Sequence, residues 1–383
     1  MLTIGVIDRS RLENEQRLPI HPDHFVTLSG AVRAAMRFET GYGRSLGVAD
    51  EQLIRDFGGV ASREELLASS DVVLLAKPVV DDLREMRPGA ALWGWPHLVQ
   101  SSEMTQVAID RRLTLIAWEA MYSWRSGGVR DSHIFDRNNE LAGYAGVIQA
   151  LGLTGRDGHY GPPSAVCILS HGSVSRGAIY ALQARGFQTL TAYTQRPPWA
   201  VHDKILGCRY AQMLRGEGNA GARVVEEGGG ERPLVEALAG ADLIVNGILQ
   251  DTDRPLMFLG AGEEHRLRRG ALIVDISCDR GMGFPFARPT TLAEPLIEVD
   301  PILYYGVDHS PSYLWRSATW ELSRGITPFI EAVLGGPVAW QANETLLRAI
   351  EIDNGVIRSP QILSFQHRSP DYPHPVSRPA SKR

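Results

Sequence analysis

Cysteine is scarce in this chain: three in 383 residues, Cys167, Cys208 and Cys278, widely spaced and odd in number. That excludes a disulfide framework and a cysteine-rich zinc site, and it fits a reducing, cytoplasmic setting. Charge of one sign is also lacking, since 39 Lys and Arg against 44 Asp and Glu leave a net charge of -5 with the basic residues thinly spread. Such a surface offers no electrostatic footprint for nucleic acid or an anionic membrane, so the expected partners are small molecules. No apolar run approaches the ~18 residues of a membrane span, and Met1 leads straight into the strand-like Leu2–Ile7 without the basic and apolar regions of a leader. Neither export nor insertion is expected. The eleven histidines form no H-x-x-x-H or H-E-x-x-H pair, and His21 and His24 fall in a turn, so no metal is assigned. G-x-S-x-G and Walker patterns are missing, which removes serine hydrolases and P-loop enzymes.

What is present is enough apolar sequence, 44%, for about two domains. Short apolar runs alternate with helix-length amphipathic stretches, the pattern of parallel α/β architecture. A first series holds Leu2–Ile7, Val72–Leu75, Ala90–Trp93 and Leu113–Trp118. A second holds Ala165–Leu169, Thr189–Tyr193, Arg223–Glu226, Leu243–Asn246, Ala271–Ile276 and Ile302–Val307. Between them, Glu140–Leu153 keeps helical spacing and reads as a helix bridging two domains, followed by a surface loop over Gly155–Pro163. Leu314–Leu334 again reads as helical and suits the first domain, which makes that domain discontinuous. The fold class expected is therefore α/β, two Rossmann-like parallel-sheet domains separated by a cleft. Residues 1–135 plus 312–358 form a substrate domain, and 140–305 a nucleotide domain. The Pro-, Ser-, His- and Arg-rich stretch 359–383 has few apolar residues and is expected to be a flexible tail.

In the second series, strand Ala165–Leu169 runs through Ser170, His171, Gly172, Ser173, Val174, Ser175, Arg176 and Gly177 into an Ala- and Leu-rich helix. A glycine turn of this kind lets backbone N–H groups and the positive helix end approach a pyrophosphate. The copy departs from G-x-G-x-x-G, with Ser170 and Ser175 in place of the first and third glycines and Gly172 left for the phosphate approach. About 20 residues on, the strand Thr189–Tyr193 ends in Thr194, Gln195 and Arg196 with no carboxylate for a ribose hydroxyl. Arg196 and the Thr194 hydroxyl suit a 2′-phosphate, so the cofactor expected is NADPH/NADP.

The run Glu13–Pro22 resembles the opening of the alanine dehydrogenase and transhydrogenase-like family. Phe38–Gly43, Asp71–Pro78, Trp93–His97 and Val274–Gly281 match that family in order. Within it, Ala142–Val147, Val245–Ile248 and Pro311–Arg316, continuing to Glu321–Ser323, are most similar to the carboxyethylornithine synthase branch. That branch reductively joins pyruvate to the side-chain amine of ornithine with NADPH. The resemblance implies an NADP-dependent oxidoreductase acting on CH–NH bonds, taking a small-molecule oxo acid and an amino acid, in a homo-oligomer. It implies cofactor contacts from Ser170, Gly172, Ser173, Val174, Thr194, Arg196, Asn246, Gly247, Asp275 and Asp279, with Asp275 open to a packing role instead.

An oxo acid needs a fixed cation for its carboxylate and a donor for its carbonyl oxygen. Arg17 suits the carboxylate bidentately. Lys77 directly follows a buried strand, where burial and a neighbouring cation lower a lysine's pKa for proton transfer. His97 lies at another strand exit and can exchange protons near neutral pH. His97, Lys77 and Asp279 are thus the catalytic candidates. Arg17, Lys77, Trp95, His309 and Arg316 are the substrate-binding candidates. His309 departs from the asparagine the family commonly carries. Three functions compete: reductive condensation of an oxo acid with an amine, an amino-acid dehydrogenase using ammonia, and a non-catalytic NADP-binding protein. Retention of Arg17, Lys77 and His97 together favours the first two.

Overall fold

In the computed structural model, which describes residues 1–216, 221–226 and 228–377, the chain divides into two compact units. One combines Met1–Phe135 with Trp315–Arg383; the other is Asp136–Leu314.

In the first unit, strands β1 (Ile4–Val6), β2 (Met36–Glu39), β3 (Val60–Ala61), β4 (Val72–Leu74), β5 (Ala91–Gly94) and β6 (Thr114–Ala117) run parallel in the order β3-β2-β1-β4-β5-β6. The order reverses between β1 and β4, and in such sheets ligands bind outside the carboxyl ends of the strands. Burial on both faces explains the continuous apolar runs. Val72, Leu74, Trp93 and Ile116 enter one core, while Val73, Leu92 and Leu115 enter the core on the opposite face. A hairpin, β7 (Tyr122–Arg125) and β8 (Val129–His133), forms a separate two-stranded sheet.

The second unit repeats the plan. Strands β9 (Ala165–Leu169), β10 (Thr189–Thr194), β11 (Cys208–Leu214), β14 (Leu243–Asn246), β15 (Leu272–Asp275) and β17 (Ile302–Tyr305) lie in the order β11-β10-β9-β14-β15-β17, all parallel. This is the 3-2-1-4-5-6 arrangement of dinucleotide-binding sheets, with its switch point between β9 and β14. Antiparallel β12 (Arg223–Val225), β13 (Glu231–Pro233) and β16 (Leu296–Val299) complete the edges. Helix Asp136–Leu153, which begins this unit, packs on helix Ser173–Ala184 with the backbones in contact. A Cβ on Gly177 would lie 1.7 Å from the Glu140 carbonyl oxygen, and one on Gly143 1.8 Å from that of Val174. Glycine is required at both positions.

After helix Trp315–Ile326 the chain adds β18 (Ile350–Asp353) and β19 (Val356–Ile357) to the first unit's sheet, with β18 antiparallel to β6. Asn354 and Gly355 make the turn at φ 48° and 81°, the conformation that favours Asn-Gly in hairpins. The flexible tail expected from Ser359 is corrected as far as residue 377. Pro360–Phe365 is helical, and polar side chains anchor the segment beyond that helix. Arg368 donates to Gln106 Oε1 at 2.8 Å and Gln366 Oε1 at 2.7 Å, and His374 Nε2 accepts the Ile357 N–H at 3.0 Å. Hydrogen bonds made by the buried side chains of Gln366, Arg368 and His374 do here what apolar content does elsewhere. Residues 378–383 lie outside the described residues.

Candidate functional site

In the first unit the candidate residues gather at the carboxyl ends of neighbouring strands. Lys77 follows β4, Trp95 and His97 follow β5, and Arg17 lies in the segment after β1. Gly94 lets β5 close onto β4, since a Cβ there would sit 1.9 Å from the Leu75 carbonyl oxygen. Lys77 Nζ lies 2.9 Å from His97 Nε2. His97 stands at φ 47°, and its backbone N–H donates to Glu119 Oε1 at 2.7 Å. Glu119 follows β6, and its Oε1 is 4.0 Å from His97 Nδ1. Burial raises the Glu119 carboxyl well above the ordinary carboxylate range, against the opposing pull of the His97 N–H and Lys77. Strand-end position was the signal for Lys77 and His97, and it applies equally to Glu119, which the sequence reading passed over.

Arg17 is 2% exposed, and its guanidinium lies 5.2 Å from the Trp95 ring centroid. Glu15 engages its Nε at 2.8 Å and its Nη2 at 2.5 Å. A guanidinium has five N–H donors, so this pair leaves the end-on fork of Nη1 and the second Nη2 hydrogen for another carboxylate. The bidentate role expected for Arg17 is thus narrowed to that edge. Arg316 is not brought into this cluster. Its Nη2 donates to the Ser45 carbonyl at 3.0 Å, and its guanidinium lies 5.4 Å from the Trp315 ring centroid.

In the second unit the glycine turn has the geometry of a phosphate cradle. Gly172 caps helix Ser173–Ala184 in an extended conformation without a side-chain cap of its own, and a Cβ at Gly172 would meet nothing within 4 Å. Ser173 and Val174 open that helix, whose first N–H groups are the donors an anion requires. Ser170 takes over a glycine's conformation, φ 98°, and its hydroxyl contacts Ser175 Oγ at 2.6 Å and the Gly247 carbonyl at 3.2 Å. Ser175 is accommodated because residue 247 is glycine; a Cβ there would lie 2.6 Å from Ser175 Oγ.

Thr194 is buried, and its hydroxyl donates to the Arg196 carbonyl at 2.7 Å, so its proton is spent within the loop while the Arg196 side chain is exposed. Arg176, a cation the sequence reading did not single out, lies in the first helical turn. Its charge and that of Arg196 both act on His171, whose pKa is lowered by burial first. A cation at a helix's positive end runs against the dipole, and that conflict was the available signal. Asp275 is buried and accepts from Asn246 Nδ2 at 2.9 Å, the Cys278 N–H at 2.9 Å and the Tyr304 hydroxyl at 3.1 Å. Burial nevertheless pushes Asp275, and likewise Asp279, up to about 6. His309 is 2% exposed; its Nδ1 is 2.5 Å from Asp308 Oδ1, and its Nε2 is buried with no partner among the described residues.

Two doubly wound sheets, one with a glycine turn at its switch point, define a dinucleotide-type α/β oxidoreductase fold. The chain belongs to the alanine dehydrogenase/PNT family: residues 6–130 match its N-terminal domain and residues 163–360 its C-terminal domain. It is therefore an alanine-dehydrogenase-like oxidoreductase of a pyridine-nucleotide-dependent family. It is 24% identical to N(5)-(carboxyethyl)ornithine synthase of Clostridium botulinum over 83% of this chain and 90% of that protein. With alanine dehydrogenase of Mycolicibacterium smegmatis it shares 21% over 90% of this chain and 92% of that one. A solved L-alanine dehydrogenase superposes with a TM-score of 0.74 at 20% identity, covering 95% of this chain and 99% of that structure. A transhydrogenase from Sinorhizobium meliloti gives 0.70 at 17%, covering 94% and 99%. Among the described residues no helix is long and apolar enough to cross a membrane, and no cluster of three metal-binding side chains occurs.

Proposed function

We propose that the protein uses NADPH to condense a 2-oxo acid with an amine of an amino acid, giving a secondary-amine product. The observation that carries this is the Lys77–His97 pair, 2.9 Å apart at adjacent strand ends, in the unit that also holds Arg17 against Trp95. Condensation needs a proton taken from the attacking amine and another delivered to the departing hydroxyl. Two basic nitrogens in hydrogen-bond contact can hold and pass such a proton. The end-on edge of Arg17 grips the oxo-acid carboxylate. NADPH would supply the hydride that reduces the resulting imine; the turn at Gly172 would receive its pyrophosphate, and Arg196 its 2′-phosphate. The relatives named for carboxyethylornithine synthesis support an amino-acid amine as nitrogen donor. Those named alanine dehydrogenase support ammonia as the second reading.

The test is NADPH oxidation with pyruvate and other oxo acids against a panel of amino acids and ammonia, using reductant deuterated on its reactive face. The product should carry deuterium on the former carbonyl carbon, next to a secondary-amine nitrogen. Turnover with ammonia alone would replace this reading by the dehydrogenase one.

A further inference from the structure

We propose that Glu119 and Glu351 hold a single proton between their carboxyl groups, and that this pair, set behind His97, acts as a positioning device for the Lys77–His97 pair. Glu119 comes two residues after β6, and Glu351 lies on β18, the strand hydrogen-bonded to β6. The register slips there: Ile350 pairs with Ile116 and Ile352 with Leu115, so Glu351 falls where the pairing is irregular. An extra residue in a β-bulge is re-aimed relative to its strand, and such bulges are enriched beside active sites. The Glu351 carbonyl fixes this backbone by accepting the N–H groups of Arg358 at 2.7 Å and Ser359 at 3.2 Å.

Both side chains end in a sealed oxygen. Glu119 keeps 26% of its side-chain surface exposed, but its Oε2, like that of Glu351, is buried with no hydrogen-bond partner among the described residues. Two ionised carboxylates would leave both oxygens unsatisfied and repel each other. One proton between them makes one carboxyl the donor to the other and removes both penalties. Burial, and after it the charge of Glu119, raises Glu351; burial raises Glu119.

The groups facing the pair are few. Lys77 and the His97 N–H act on Glu119, and His133 Nε2 sits 3.2 Å from its carbonyl oxygen. On the neighbouring helix, Glu344 and Arg348 pair with each other at 2.8 Å, and Arg348 stacks on Trp124. Glu119 is the charge that acts on Glu351. With one proton the pair carries one negative charge beside Lys77 and His97; on losing it, the second charge favours their protonated forms. Glu351 therefore sets the pH at which this change occurs.

The kinetic consequence rests on the proposed function, but the pair itself does not, so the first test uses the resting protein without substrate. Infrared difference titration should find, besides the carboxyls of Asp275 and Asp279, a protonated carboxyl that ionises well above the ordinary Glu value of about 4.3, absent from both Glu351→Gln and Glu119→Gln. A wild-type spectrum without such a carboxyl overturns the proposal, whether or not either variant folds. In turnover, Glu351→Gln should move the acid limb of the kcat/KM profile down by about one pH unit or more, because the amide removes a like charge and donates to Glu119. Glu351→Asp should restore the limb partly. An unmoved limb with the infrared signal lost would show the pair to be without influence on His97 and overturn its positioning role.

Discussion

Lys77 Nζ and His97 Nε2 are 2.9 Å apart at the ends of paired strands β4 and β5. At that distance one nitrogen must donate and the other offer its lone pair, so each is held in place by the other. His97→Ala should lower turnover by roughly 10²–10⁴-fold, with cofactor affinity nearly unchanged because the cofactor candidates lie in the other unit. Lys77→Ala should behave alike. Since each residue acts through the other, the double variant should lose far less than the product of the two single losses. Fully multiplicative losses would break the pair into two independent residues.

Arg17 differs in kind. An ion pair made equally in ground and transition states affects binding rather than turnover, so Arg17→Ala should chiefly raise KM for the oxo acid. A hydrogen-bonded charge contributes about 1.5–3 kcal/mol, which corresponds to roughly 10–150-fold. Arg17→Lys should not recover it, because an ammonium cannot present one fork to Glu15 and another edge to a ligand. Steady-state kinetics of both variants decide this; a fall in kcat at unchanged KM would remove Arg17 from carboxylate binding.

The strands that carry Lys77, His97 and Ser170 were legible because burial on both faces makes them continuous apolar runs. Strand β11 and the C-terminal β18 and β19 were not. The seven-residue β11 has one fully buried residue, Met213, and β18 one, Ile352, so neither produces such a run. The β18–β19 hairpin did carry a local signal, Asn354-Gly355 between alternating apolar residues. Arg368 and His374 show why the tail was misread: a segment held by buried hydrogen bonds looks, by composition, like one held by nothing. Glu351 was out of reach for another reason, since its place beside Glu119 depends on a register slip between strands more than 200 positions apart in the chain.

Cofactor choice gives a separate test. With no carboxylate in the strand end Thr194–Gln195–Arg196 and the Thr194 proton occupied by the Arg196 carbonyl, discrimination falls to the exposed Arg196 side chain. Arg196→Ala should weaken NADPH binding by on the order of tenfold, about 1.4 kcal/mol, and leave NADH binding unchanged. Titration of both cofactors against the wild type and the variant measures it. Equal loss for the two would mean that Arg196 does not read the 2′-phosphate.

Where the helices Asp136–Leu153 and Ser173–Ala184 cross, stability and the nucleotide turn share one contact. A methyl at Gly177 would overlap the Glu140 carbonyl, and the atoms nearest it belong to the backbone and cannot rotate away. Gly177→Ala should therefore cost about 3 kcal/mol or more and misplace the first turn that begins at Ser173. Gly152, on the helix that Gly177 meets, has open space around its would-be Cβ, so Gly152→Ala should be neutral or slightly stabilising. Thermal melts of the two variants should separate sharply; equal midpoints would refute the close crossing.

The buried Asp275 links stability to pH in a direction opposite to most carboxylates. Burial raises it to about 6, above the unfolded value of about 3.9, so between those limits the folded state binds more protons than the unfolded one. Stability from this group is therefore fully present below about pH 4 and is lost as pH rises through about 6. A rise of about two in pKa corresponds to roughly 3 kcal/mol. In Asp275→Asn the carbonyl oxygen still accepts from Asn246 and the Cys278 N–H, but nothing titrates. Calorimetric melts between pH 4 and 7 should show the wild type losing roughly 2–3 kcal/mol relative to the variant across that window, with other carboxylates cancelling in the difference. Curves that stay parallel would mean that Asp275 remains ionised throughout, held by its three donors against the cost of burial.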